Sequence, residues 1–197
     1  MKTFIKICGL RNAADVKAVT DAGANAVGFV FAESVRRVSP AQAREAAAGV
    51  ASSVRRVAVM RHPSKKECRA VIDEFEPDVV QTDAEDFAML EIPAHIECWP
   101  VVREGNESIV APDIYLYEGK NSGSGETVDW SHAAEVARHG RMLLAGGLAE
   151  DNVREAIQTV RPWGVDVSSG VESLPGYKDY ELIRRFISAV RAAEKEI

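Results

Sequence analysis

Residues 142–170 read MLLAGGLAEDNVREAIQTVRPWGVDVSSG. A short apolar run, MLLAG, gives way to an amphipathic stretch, AEDNVREAIQTV, and then to a second apolar run, GVDVSS. The two outer runs are apolar at almost every position, as strands covered on both faces are. The middle segment carries its apolar residues at helical spacing. This is a strand–helix–strand unit whose strands end in small residues, Gly146-Gly147 and Ser168-Ser169-Gly170.

The same alternation fills the chain. Six more β-like runs come first: FIKIC, AVGFVF, RVAVM, DVVQT, IECWPVV and IYLYE. Between most of them lie helical patterns. AADVKAVTDAG is closed by Gly23 at its C-cap. SPAQAREAAAGV opens with Ser39 as N-cap and Pro40 at the first helical position. SKKECRAVIDEF begins with Ser64 and has Glu67 three residues on, a capping box. WSHAAEVARHG and YELIRRFISAVRAAEKEI are the other helices. Eight such units in 197 residues predict one domain, residues 1–197, folded as a small α/β (β/α)8 TIM barrel. An open doubly wound sheet is the alternative, but its glycine-rich turn after the first strand is missing. REGNESIVAPD, between strands five and six, is too short and too broken by Gly and Pro for a normal helix. The helix after strand five is therefore expected to be missing or vestigial.

Composition narrows the function. The chain is 46% hydrophobic and 27% charged, with a net charge of −6, which argues against a nucleic-acid binder. No apolar run approaches the ~20 residues of a membrane span, and the first residues lack a signal-peptide pattern. Cys8, Cys68 and Cys98 have no C-x-x-C spacing, which fits a cytoplasmic protein without disulfides or zinc. Cys68 and Cys98 read as packing residues. His62, His95, His132 and His139 show no metal-ligand spacing, so no metal is expected.

In such a barrel, chemistry sits at the C-terminal ends of the strands. Gly146, Gly147, Ser168, Ser169 and Gly170 at strands seven and eight read as a phosphate cradle, or as two tight turns that need glycine. Strand four ends in Gln81. GKNSGSGE after strand six is a candidate loop for closing over a ligand. Asp129 behind it is either an N-cap or, shielded from water by Trp130, a general acid. Cys8 is either a small buried hydrophobe or a thiol facing the pocket. As a base it needs a cationic neighbour, for which Arg11 and Arg36 are candidates. Asp166 is expected to point into the barrel in a structural role, and Lys6 shares the face of Cys8.

KICGL at the start, VGFVF followed by Arg36 and VSP, GSGETVDW, LLAGGL followed by NV and AI, and VDVSSGVE followed by GYKD together resemble the phosphoribosylanthranilate isomerase family. The matches run in order over nearly the whole chain. The resemblance implies an Amadori rearrangement of N-(5-phosphoribosyl)anthranilate in tryptophan biosynthesis, without cofactor or metal. It implies Cys8 as general base and Asp129 as general acid. Arg36 would bind the anthranilate carboxylate, with Arg37 beside it as the alternative. Gln81 would also touch the substrate, and Gly146, Gly147, Ser168, Ser169 and Gly170 would hold its phosphate. The expected partner is this small phosphorylated substrate, with no nucleic acid or membrane, for a monomer or homodimer.

The chain departs from the family pattern in three places. Strand four reads Gln81-Thr82-Asp83-Ala84 where Gln-Leu-His-Gly is usual. Strand six ends Tyr117-Glu118 where an aspartate is usual, and Val35 precedes Arg36 where proline or lysine is commoner. Two other readings remain. A related barrel lyase, such as indole-3-glycerol phosphate synthase, needs a lysine at a strand end. A non-catalytic phosphoribosyl-ligand binder would keep the cradle alone. A sister isomerase of histidine biosynthesis would carry aspartate at the position of Cys8.

Overall fold

A computed structural model describes residues 2–106, 113–120 and 127–196. Eight parallel strands close into a barrel in chain order: β1 (Phe4–Cys8), β2 (Ala26–Val30), β3 (Arg55–Val59), β4 (Val79–Asp83), β5 (Glu97–Arg103), β6 (Ile114–Glu118), β7 (Arg141–Leu144) and β8 (Gly164–Val167). The helices are α1 (Ala13–Asp21), α2 (Pro40–Ala46), α3 (Lys65–Phe75), α4 (Trp130–Val136), α5 (Val153–Val160) and α6 (Tyr180–Ala193). The sequence places every one of the eight strands to within about two residues.

Closure follows from the apolar pattern. Side chains alternate between the two faces of each strand. One set, including Ala26, Val57, Val79, Trp99, Leu116 and Leu143, fills the interior. The other, including Ile5, Ile7, Phe29, Ala58, Val80, Met142 and Val165, packs outward against Val71, Phe75, Ile157, Ile183 and Phe186 of the helices. Such a sheet has no polar face to offer water, so it buries both sides by closing. At the N-terminal end Phe4 stacks on Trp163 at 4.5 Å and meets Trp99 edge-on at 5.8 Å. These rings pack together at that end of the barrel.

The helix starts follow their caps. Ser39 and Gln42 form a capping box at α2, as Ser64 and Glu67 do at α3. Asp179 caps α6 by accepting from the Glu181 and Leu182 amides.

Three features stand out. Between β5 and β6, where the helix is expected to be missing or vestigial, residues 107–112 lie outside the described set and the described residues carry no helix. Between β4 and β5, however, there is only a 3-10 turn at Ala84–Ala88. There Asp86 is drawn back to the Thr82 hydroxyl at 2.5 Å and to His62, which ties the segment to the strand end. With that side thinly covered, Cys98 on β5 is exposed rather than packed, whereas Cys68 on α3 is buried. Finally, β8 leads through a 3-10 turn, Ser169–Val171, into a hairpin of β9 (Glu172–Leu174) and β10 (Tyr177–Lys178). That hairpin carries no apolar alternation that would have announced it.

Candidate active site

Because β1 to β8 are all parallel, the residues that follow their C-terminal ends share one end of the barrel. Cys8 closes β1 there and is buried. Its neighbour in register on β2 is Gly28, where an added Cβ would stand 3.1 Å from the Cys8 sulfur. The thiol therefore faces inward, over the barrel interior. Burial pushes its pKa up. The Lys6 and Lys178 ammonium groups pull it down and Asp166 pushes it up again, with a net upward shift. Of the two expected cationic neighbours, Arg11 lies elsewhere: it donates to the Gly176 carbonyl at 3.4 Å and covers the Tyr177 ring.

Arg36 does lie at this end. Its aliphatic stem crosses the Gly9 turn, where a Cβ would come within 2.6 Å of Cδ. Its Nε and Nη2 donate to the two oxygens of Glu172 at 2.7 and 2.8 Å, a bidentate pair. Lys178 Nζ donates to the same carboxylate and to the Ser168 carbonyl, each at 2.8 Å. Sequence reasoning assigned no role to Glu172 and Lys178, which appeared only as the last residue of VDVSSGVE and within GYKD. Together they tie the loop after β2 to the loop after β8. Burial would raise the pKa of Glu172, but the hydrogen bonds from Arg36 and Lys178 hold it down to about 2.

This network has a consequence for stability. The folded carboxylate titrates near 2 and an ordinary one near 4.5. The stabilisation is thus complete above the higher value and is lost as pH falls toward the lower, about 3 kcal/mol in all. Glu172→Gln is expected to lower stability at neutral pH by a similar amount, because it leaves the buried Lys178 and the half-buried Arg36 without their anion. It should also flatten the decline in stability between about pH 5 and 2. Urea unfolding across that range tests this, and a variant that keeps the wild-type slope would contradict it.

The loops after β7 and β8 meet. Gly146 and Gly147 have φ of 93° and 59°, in the left-handed region that favours glycine. Neither donates its N–H to another described residue, and both are half-buried. Adjacent unclaimed amides of this kind form an anion nest. Asn152 shapes the loop: its Nδ2 donates to the Gly147 carbonyl and its Oδ1 accepts from the Ala149 amide, both at 2.8 Å. A Cβ on Gly170 would overlap the Leu148 carbonyl oxygen, so glycine lets the two loops touch. Ser169 is exposed. The Ser168 hydroxyl donates to the Cys8 carbonyl at 3.1 Å, so in this form its proton is committed to β1.

Gln81 is buried on β4, and its Oε1 has no hydrogen-bond partner among the described residues. Buried acceptors are nearly always paired, which marks this one as awaiting a donor. Two residues on, Asp83 contacts Arg103 at 2.6 Å, and Arg103 contacts Glu118 at 2.6 Å. The two acidic departures from the family pattern are thus coupled through one guanidinium. His62 joins them, 3.5 Å from Asp83 and 3.0 Å from Asp86. His62, Asp83 and Asp86 bring three potential ligand atoms within 4.8 Å of one another. Each is already engaged in this ion-pair network, which accounts for the cluster.

Asp129 is the N-cap of α4. Its Oδ1 accepts from the Ser131 and His132 amides at 2.8 and 3.2 Å, and its own N–H donates to Glu104 at 2.8 Å. It is exposed, and Trp130 packs against the layer between barrel and helices. Residues 121–126 of the glycine-rich loop, the proposed cover, lie outside the described residues. Asp166 points inward as expected and pairs with Lys6. Lys6 is fully buried and lies two residues before the end of β1, whereas the lyase reading needs a lysine at a strand end. Arg37, unlike Arg36, lines a separate hollow of about 660 Å³ with Phe31, Met60 and His62, which includes neither Cys8 nor Asp129.

Comparison with known proteins places the chain by family and fold. The family model described as N-(5'phosphoribosyl)anthranilate (PRA) isomerase matches residues 5–189. The N-(5'-phosphoribosyl)anthranilate isomerase of Streptococcus gordonii is 42% identical over 193 residues, covering 96% of this chain and 98% of its own. The crystal structure of phosphoribosyl anthranilate isomerase from Thermus thermophilus superposes with a TM-score of 0.85 at 28% identity, covering 96% of this chain and 99% of that one. A phosphoribosyl anthranilate isomerase in complex with reduced 1-(o-carboxyphenylamino)-1-deoxyribulose 5-phosphate superposes with a TM-score of 0.81 at 32% identity, covering 96% and 99%. The chain belongs to the N-(5'-phosphoribosyl)anthranilate isomerase family.

Proposed function

We propose that this protein isomerises N-(5'-phosphoribosyl)anthranilate to 1-(2-carboxyphenylamino)-1-deoxyribulose 5-phosphate in tryptophan biosynthesis, with Cys8 as general base and Asp129 as general acid. It works in the cytoplasm, as a monomer or homodimer, on this small phosphorylated substrate. Asp129 protonates the ribose ring oxygen, and the ring opens to a Schiff base. Cys8 then takes the proton from C2′, and the resulting enolamine tautomerises to the ketone. The reaction moves a proton and an electron pair within one molecule, so no external oxidant or reductant takes part.

The observation that carries this reading is the mouth of the barrel: an inward thiol at the end of β1 and an amide nest after β7 at the same end. Gly146, Gly147, Ser169 and Gly170 hold the phosphate, with Ser168 joining if its hydroxyl leaves Cys8. The Arg36 guanidinium, two of whose nitrogens already hold Glu172, offers its remaining edge to the anthranilate carboxylate. Gln81 gives its unpaired oxygen to a substrate donor.

Steady-state turnover of N-(5'-phosphoribosyl)anthranilate tests the proposal, and absence of turnover by wild type would favour the non-catalytic binder. Gly170→Ala adds a second check. It forces the two loops apart and should raise KM at least about tenfold, with a loss of roughly 1–3 kcal/mol of stability. An unchanged KM would remove these loops from the phosphate site.

A further inference from the structure

Lysine is almost never fully buried unless it is paired. Lys6 is fully buried in the barrel interior, with Nζ 2.8 Å from Asp166 Oδ1. The two residues are register partners across β1 and β8. Cys8 lies two residues beyond Lys6, on the same strand face. A Cβ on Gly28 would stand 3.1 Å from the Cys8 sulfur and 3.3 Å from Lys6 Cε. Sulfur and lysine stem thus converge on one gap, which exists because β2 carries a glycine there.

We propose that Lys6 is a positioning residue for the reaction: its ammonium, anchored by Asp166, is the cation that stabilises the Cys8 thiolate. The inference rests on the reading of Cys8 as base. As a mere structural element the buried pair has little to recommend it, since apolar side chains of like volume usually do as well or better. An ammonium beside a catalytic thiol does something that apolar packing cannot.

The other charged groups that act on Cys8 are Asp166 from β8, Lys178 from β10 and Arg36 from the loop after β2. Lys178 and Arg36 are committed to Glu172. Asp166 works against the thiolate, but more weakly than Lys6 works for it. When the thiolate takes the substrate proton it becomes a neutral thiol. Lys6 keeps its own proton and remains balanced by Asp166.

The test is the pH dependence of Cys8 alkylation by iodoacetamide, followed on the Cys8-bearing peptide by mass spectrometry. The double variant Lys6→Met/Asp166→Leu removes both charges without stranding either. Its alkylation should be about tenfold slower than wild type at pH 8, with the inflection at higher pH. Asp166→Asn should shift the inflection the other way, since Cys8 becomes the only anion beside Lys6. Either variant that folds, as judged by circular dichroism, decides the matter: an unmoved inflection, or a shift opposite in sign, overturns the proposal. Because alkylation does not depend on turnover, a shifted inflection with unchanged kcat/KM would support the coupling of Lys6 to Cys8 while overturning Cys8 as the base.

Discussion

Cys8→Ser is expected to lower kcat by between about 10² and 10⁴-fold, with KM within a few-fold of wild type. Serine fits the space the sulfur occupies against Gly28, so the fold and the phosphate cradle should survive. What is lost is an ionisable group: a serine hydroxyl does not form an anion at working pH. The pH profile sharpens the test. Burial pushes the thiol pKa up, so the reactive thiolate is the minor form at neutral pH. Wild-type kcat/KM should rise as pH is raised from 6 to 8, and the acid limb of the serine variant should lack that rise. A variant that retains wild-type kcat would remove Cys8 from the chemistry even if the substrate assignment is right.

Asp129→Asn is expected to reduce kcat by a comparable factor, about 10² to 10⁴-fold, while leaving thermal stability nearly unchanged. The choice of asparagine separates two roles that coincide at this residue. Asp129 caps α4 through Oδ1, and asparagine caps a helix as well as aspartate does. Only the acid function is removed. Asp129→Ala should lose about 1 kcal/mol of stability in addition, because the cap goes too. Equal kcat for wild type and the asparagine variant would reduce Asp129 to a cap.

The barrel was legible because its determinants are local and repeated. FIKIC and IYLYE coincide with β1 and β6 to the residue, since a run that is apolar on both faces admits few other structures. Ser39 and Ser64 mark helix starts through hydrogen bonds that span three residues, which a sequence displays directly. The missing helix after β4 was not legible. Asp86 there meets His62, 24 residues away, and no local pattern records that meeting.

The site divides along the same line. Cys8, Gly146, Gly147 and Gly170 could be found from strand ends and glycine positions. Glu172 and Lys178 could not, because Glu172 matters through its contact with Arg36, 136 residues distant in the chain, and Lys178 through Glu172. Asp83 and Glu118 looked like two unrelated departures from the family pattern. In three dimensions both hold Arg103, so each departure accommodates the other.

The central claim is that one molecule of substrate reaches Cys8, Asp129 and the amide nest together. A crystal structure with reduced 1-(o-carboxyphenylamino)-1-deoxyribulose 5-phosphate bound measures this directly. The account predicts phosphate on the Gly146, Gly147 and Gly170 amides, with the Cys8 sulfur within about 4 Å of the C2′ carbon and an Asp129 oxygen within hydrogen-bond reach of the former ring oxygen. A phosphate bound anywhere else on the barrel, or a C2′ carbon beyond reach of the sulfur, would contradict it.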